Sequence, residues 1–155
     1  MKGQLSHELE VNVPAGQAWE LYGTIKLVKL VEKEYDTVEE IEVVEGDGGV
    51  GTILHIKFKP GTPGFAGYKE KFIEIDNKKR VRVTDVVEGG YLDLGFTLFR
   101  VIFEIIEKGS DSCIIKSTIE YELREEAAAN ASFVSIDTVA KIAEISKNYL
   151  LNNRD

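Results

Sequence analysis

The chain has 155 residues, 19 basic and 27 acidic side chains, a formal charge of −8, and 43% apolar residues. That length suits one domain over residues 1–155 built on one sizeable core, and the composition is too apolar for a disordered chain. The negative balance excludes sequence-independent binding to nucleic acid, which requires a basic face.

The acidic excess is mostly N-terminal, because residues 1–45 hold 4 basic and 10 acidic side chains. The opening MKGQLSHELEV has no apolar signal core, and no apolar run approaches the ~18 residues of a membrane helix. These features predict a cytoplasmic protein that neither enters nor binds a membrane. Leu5, His7, Leu9, Val11 and Val13 alternate with polar residues, the period of a half-buried strand. Pro14-Ala15 then opens a short helix that Gly23 interrupts. Thr24 is placed to cap a second helix over Ile25–Val31.

From Val38 to Leu123 the pattern is mainly strand. Val38–Val44 and Thr52–Phe58 flank the glycine-rich GDGGVG. Tyr68–Ile75 and Arg80–Val87 flank the turn Asp76-Asn77-Lys78-Lys79. Leu94–Ile106 and Cys113–Leu123 flank Lys108-Gly109-Ser110-Asp111. Such short links favour antiparallel pairing. The alanine-rich segment 127–151 lacks Gly and Pro and predicts one long amphipathic helix. The order implies an α+β fold: a seven-stranded antiparallel sheet curled around a long C-terminal helix, with two short helices. Its concave face leaves room for an internal ligand cavity.

Few segments carry chemistry. GDGGVGT lacks the Lys of a phosphate loop and runs into a strand, so a tight turn is the stronger expectation. His7 and His55 stand alone, without ligand spacing, and neither metal nor cofactor is expected. Cys113, the sole cysteine, allows no intrachain disulfide and reads as a small strand residue.

Tyr68-Lys69-Glu70-Lys71-Phe72 is more informative. With the lysines outward, Tyr68, Glu70 and Phe72 point inward, and a desolvated Glu70 becomes a general base near neutral pH. On the next strand either face can be inner. If the face bearing Arg80, Arg82, Thr84 and Val86 turns inward, Arg82 is a ready partner for Glu70. A structural Glu–Arg pair or a solvated sheet face is the plainer alternative.

GDGGVGT, YKEKF, EGGYLDLGF and LSHELEV together resemble the pathogenesis-related class 10 proteins with the Bet v 1 fold, in particular their norcoclaurine synthase branch. The N-terminal motif, with EEAAANASF ahead of the last helix, is still more similar to the norbelladine synthase branch of the Amaryllidaceae. The resemblance spans nearly the whole chain. It implies a helix-grip fold with a deep cavity and a condensation of dopamine or tyramine with an aromatic aldehyde through an imine. In one branch a Pictet–Spengler ring closure follows; in the other, reduction of the imine gives norbelladine.

By the same resemblance Tyr68 orients substrate and Glu70 is the base. The family's catalytic lysine aligns with Arg82, and its cavity aspartate with Val101. Arginine stays charged and holds an oxygen better than it donates a proton. Phe72, Thr84, Phe99 and Val101 are the expected ligand contacts. The partner implied is a small aromatic amine, aldehyde or phenol, and the chain itself a monomer or weak dimer. The alternative on the same fold is a non-catalytic carrier of a phenolic, hormone-like or alkaloid ligand.

Overall fold

Period-two alternation becomes pairing along most of the chain. The computed structural model describes residues 1–153. Its strands are β1 (Lys2–Val11), β2 (Val38–Glu45), β3 (Ile53–Phe58), β4 (Gly67–Asp76), β5 (Val81–Gly89), β6 (Phe96–Gly109) and β7 (Ser112–Leu123). Its α-helices are α1 (Ala15–Tyr22), α2 (Lys26–Glu34) and α3 (Asp137–Asn152). The strands form one antiparallel sheet in the order β1-β7-β6-β5-β4-β3-β2, so the two edges are the strands flanking the short helices.

The inner face carries the core. Val11, Phe99, Phe103, Ile105, Ile115 and Ile119 pack there against Trp19, Tyr22 and Leu27 of the short helices and Val139, Ala143 and Leu150 of α3. The helical faces are apolar at helical spacing, and this burial drives their docking. Trp19 also donates its indole N–H to Asn77 Oδ1 at 2.9 Å, latching α1 to the β4–β5 hairpin. Among the described residues no helix is long and apolar enough to cross a membrane.

Strand ends shift by a few residues, with Val13, Arg80 and Leu94 outside their strands, and both helical expectations change more. The second helix runs to Glu34, one turn beyond Val31. The segment 127–151 is not one continuous helix. A 3-10 helix covers Glu125–Phe133, Val134 is extended at ψ 126°, and α3 begins only at Asp137. Ser135 Oγ accepts the backbone N–H of Asp137 at 3.1 Å, a local bond that competes with helix continuation. Alanine propensity loses there to a β-branched residue followed by a serine.

The β4–β5 register has two irregularities, which bend the sheet where the site lies. Glu70 pairs with Val86, Phe72 with Thr84, and Ile75 with Arg82. Val87 and Ile73 are skipped, and both are exposed. The face bearing Arg82, Thr84 and Val86 turns inward, with these residues 3%, 4% and 8% exposed. Asp85 lies on the opposite face, in a two-bond ion pair with Arg100 at 2.7 and 2.9 Å.

Candidate functional site

The concave face holds two adjoining chambers. The inner one, about 100 Å³, is lined by Glu70, Arg82, Thr84 and Phe103 from the sheet, by Leu27, Val28 and Val31 of α2, and by Ile142 of α3. The outer one, about 700 Å³, is lined by the loop residues Thr62 to Phe65, by Tyr91, Leu94, Phe99 and Ile119, and by Phe133. Tyr35, Phe58, Tyr68, Val101, Thr138 and Val139 line both chambers and form the neck between them.

Alternation along β4 places Tyr68 and Glu70 on the cavity side, and Phe72, 1% exposed, beneath it. Tyr68 packs at 5.9 Å from the Phe58 ring and 6.5 Å from the Phe65 ring. Gly90, with φ 55°, has the left-handed backbone that glycine adopts without strain. A Cβ there would stand 3.0 Å from Tyr68 Cβ, so the glycine lets the strand end close over the phenol. Burial, reinforced by the nearby Glu70 charge, raises the Tyr68 pKa and keeps it a neutral hydrogen-bonding phenol.

Glu70 is half-buried and lines the inner chamber. Burial pushes its pKa up to about 7, against the attraction of Arg82. Burial likewise pushes Arg82 down to about 10, still protonated at neutral pH. The two make no direct ion pair within 4.0 Å among the described residues. The register explains this. Arg82 lies four residues from Val86, the partner of Glu70, or on the order of 13 Å along the strand. The paired Glu–Arg of the sequence reading is therefore corrected to two charges that share a chamber without touching.

Arg82 finds other partners. Its guanidinium lies 4.6 Å from the centroid of Phe72 and 5.6 Å from that of Phe103. One Nη donates to the Thr24 carbonyl at 3.2 Å, in the link between α1 and α2. Phe72, expected to touch ligand, does not line either chamber; it carries Arg82 from beneath. Thr84 and Val101 line the inner chamber, and Phe99 the outer one, stacked on Tyr91 at 3.9 Å with an interplanar angle of 3°.

Beyond Tyr68 and Phe99, the aromatic lining of the outer chamber was not legible in the sequence. Phe65, Tyr91 and Phe133 sit in loops or 3-10 segments, where alternation does not say which way a side chain points. The one usable signal was EGGYLDLGF, which brings Tyr91 and Phe96 together. The glycine loop is no anion site. Its N–H groups are taken internally: Gly48 donates to Thr52 Oγ1, Gly49 to Asp47 and Gly51 to the Phe72 carbonyl. Cys113 is fully buried, and burial raises its thiol to about 11, so it packs and does not react.

A curved antiparallel sheet gripping a C-terminal helix around a mostly apolar cavity, with a few buried polar groups, defines a small-molecule-binding helix-grip protein. The chain belongs to the pathogenesis-related protein Bet v 1 family, whose model matches residues 1–153. It is 48% identical to norbelladine synthase of Narcissus pseudonarcissus over 155 residues, which cover 99% of this chain and 95% of that one. It is 36% identical to S-norcoclaurine synthase 2 of Papaver somniferum, over 99% of this chain and 68% of that one. Among solved structures, norcoclaurine synthase from Thalictrum flavum in complex with dopamine and hydroxybenzaldehyde superposes with a TM-score of 0.90. The sequence identity is 34%, covering 100% of this chain and 90% of that one.

Proposed function

We propose that the protein is a condensing enzyme of plant alkaloid metabolism that joins an arylethylamine, tyramine or dopamine, to an aromatic aldehyde as an imine. The observation that carries this reading is Glu70, a carboxyl held near pKa 7 in an aromatic-lined cavity. The similarity to norbelladine and norcoclaurine synthases supports the substrate class.

The amine nitrogen attacks the aldehyde carbon, its proton leaves, and the carbinolamine hydroxyl departs as water. Glu70, near half-ionised at neutral pH, takes the proton from nitrogen and returns it to the leaving oxygen. Arg82 remains charged and stabilises oxygen charge by position, without transferring a proton. Tyr68, at the neck, holds a phenol or carbonyl oxygen of substrate. Aromatic walls keep bulk water from the imine, whose hydrolysis would reverse the step. Val101 offers no carboxylate for a second proton transfer, which favours release of the open imine over ring closure.

The test is incubation with tyramine and 3,4-dihydroxybenzaldehyde, followed by borohydride trapping and chromatography of the secondary amine. Secondary amine should form well above the buffer rate. Dopamine with 4-hydroxyphenylacetaldehyde should give little enantiomerically enriched tetrahydroisoquinoline. Trapped product no faster than buffer for any of these pairs would sink the enzymatic reading and leave a carrier of the same ligands.

A further inference from the structure

The polar inventory of the inner chamber is unbalanced. Arg82 is a buried cation whose Nε has no hydrogen-bond partner among the described residues, and Thr84 Oγ1, two residues along β5, has none either. A buried donor without an acceptor is destabilising, and more so when the group is charged. A buried guanidinium is normally matched by a carboxylate in fork geometry. Glu70, the one carboxyl lining this chamber among the described residues, does not come within ion-pair distance. Both unpartnered donors belong to one strand and one face, their side chains line the inner chamber, and Tyr68 and Val101 line both that chamber and the aromatic outer one.

We propose that the inner chamber is a carboxylate subsite, in which Arg82 and Thr84 bind the acid group of an aromatic carboxylate whose ring lies at the neck between Tyr68 and Val101. Both atoms are covered, so binding turns the two side chains toward the ligand oxygens. The ligand class is the oxidised counterpart of the aldehyde substrate, and it competes for the same cavity. Val101 lends the ring an apolar wall, and the interior offers no carboxylate at that position to repel the acid.

Glu70 sets the pH at which the subsite works. The groups facing it are Arg82 from β5, Tyr68 on its own strand and Tyr35 after α2. Tyr22 of α1 lies behind Arg82 and interacts with it, while β3, β6 and α3 contribute apolar side chains and Thr138. Protonated, Glu70 adds a donor to the subsite; ionised, it repels the incoming carboxylate.

Calorimetric titration with 3,4-dihydroxybenzoate, and with uncharged 3,4-dihydroxybenzyl alcohol of similar shape, tests the assignment. At pH 6 the acid should bind at least about tenfold more tightly than the alcohol, the size of one charged hydrogen bond. Arg82→Met should erase that preference and leave alcohol binding within about threefold. If Arg82→Met does not fold by circular dichroism, Thr84→Val decides: the acid should weaken several-fold and the alcohol should not. From pH 6 to 8 the wild type should lose acid affinity as Glu70 ionises, and Glu70→Gln should not. Equal binding of acid and alcohol, a preference that survives Arg82→Met, an acid affinity unchanged in Thr84→Val, or a flat wild-type profile would each overturn the proposal. None of these readings needs turnover, so acid binding without imine formation would overturn only the proposed condensation, and the converse only the subsite.

Discussion

Glu70→Gln is expected to lower kcat/KM for imine formation by about 10²–10³-fold, within the usual range for loss of a positioned acid–base group. The substitution keeps the shape and one oxygen acceptor but removes the charge and the titration. Wild-type rate should climb with pH through about 7, where the base form of Glu70 appears, and the variant should show no such limb. The same substitution has a stability signature of opposite sign. A carboxyl whose folded pKa is raised from 4.5 to about 7 stabilises the fold below 4.5 and loses that contribution as pH rises through 7, because the unfolded chain ionises first. Thermal melts from pH 4 to 8 should therefore show wild type falling relative to Glu70→Gln. An unchanged rate in the variant, measured by borohydride trapping, would remove Glu70 from the mechanism.

Phe72→Ala should cost about 3–5 kcal/mol, as buried phenylalanine truncations do. For a chain of this length that lowers the melting temperature by roughly 6–20 °C. The ring is 1% exposed, packs with Leu54, Ile56 and Val28, and lies under the Arg82 guanidinium. Its loss opens a cavity and removes the surface on which Arg82 rests. Phe72→Leu separates the two effects. It restores much of the volume, so stability should recover by more than half, but it supplies no π face. If Arg82 depends on that face for its position, acid binding stays weakened in Phe72→Leu while the melting temperature returns. Full recovery of both in Phe72→Leu would show that packing alone places Arg82.

The reach of sequence reasoning depended on how local each determinant was. Tyr68, Glu70 and Phe72 were legible because two outward lysines fix the alternation, and the structure keeps that parity through residue 72. The neighbouring strand was ambiguous because one face carries two arginines with a threonine and a valine, and the other three valines with an aspartate. Only the tertiary pairing of Asp85 with Arg100 on the outer face shows which side is wet. The distance between Glu70 and Arg82 was not legible at all, since skipped residues at Val87 and Ile73 set the register and neither carries a turn signal. The break before α3 depended on one side-chain bond, from Asp137 N–H to Ser135, inside a segment whose composition favours helix. The outer chamber draws on residues from loops, strands and helices far apart in the chain, so no local pattern announces it.

The seclusion of Cys113 has a practical consequence. Its Cα faces Val11 on β1 and Glu107 on β6, and its thiol is wholly covered and held in the protonated form. As the chain's sole thiol, it makes chemical labelling an intrinsic clock for opening of the sheet. In native buffer the rate of modification by a disulfide reagent should follow the population of opened molecules, not the reactivity of an exposed sulfur. Cavity ligands that bind only the closed molecule should slow that labelling in proportion to their occupancy.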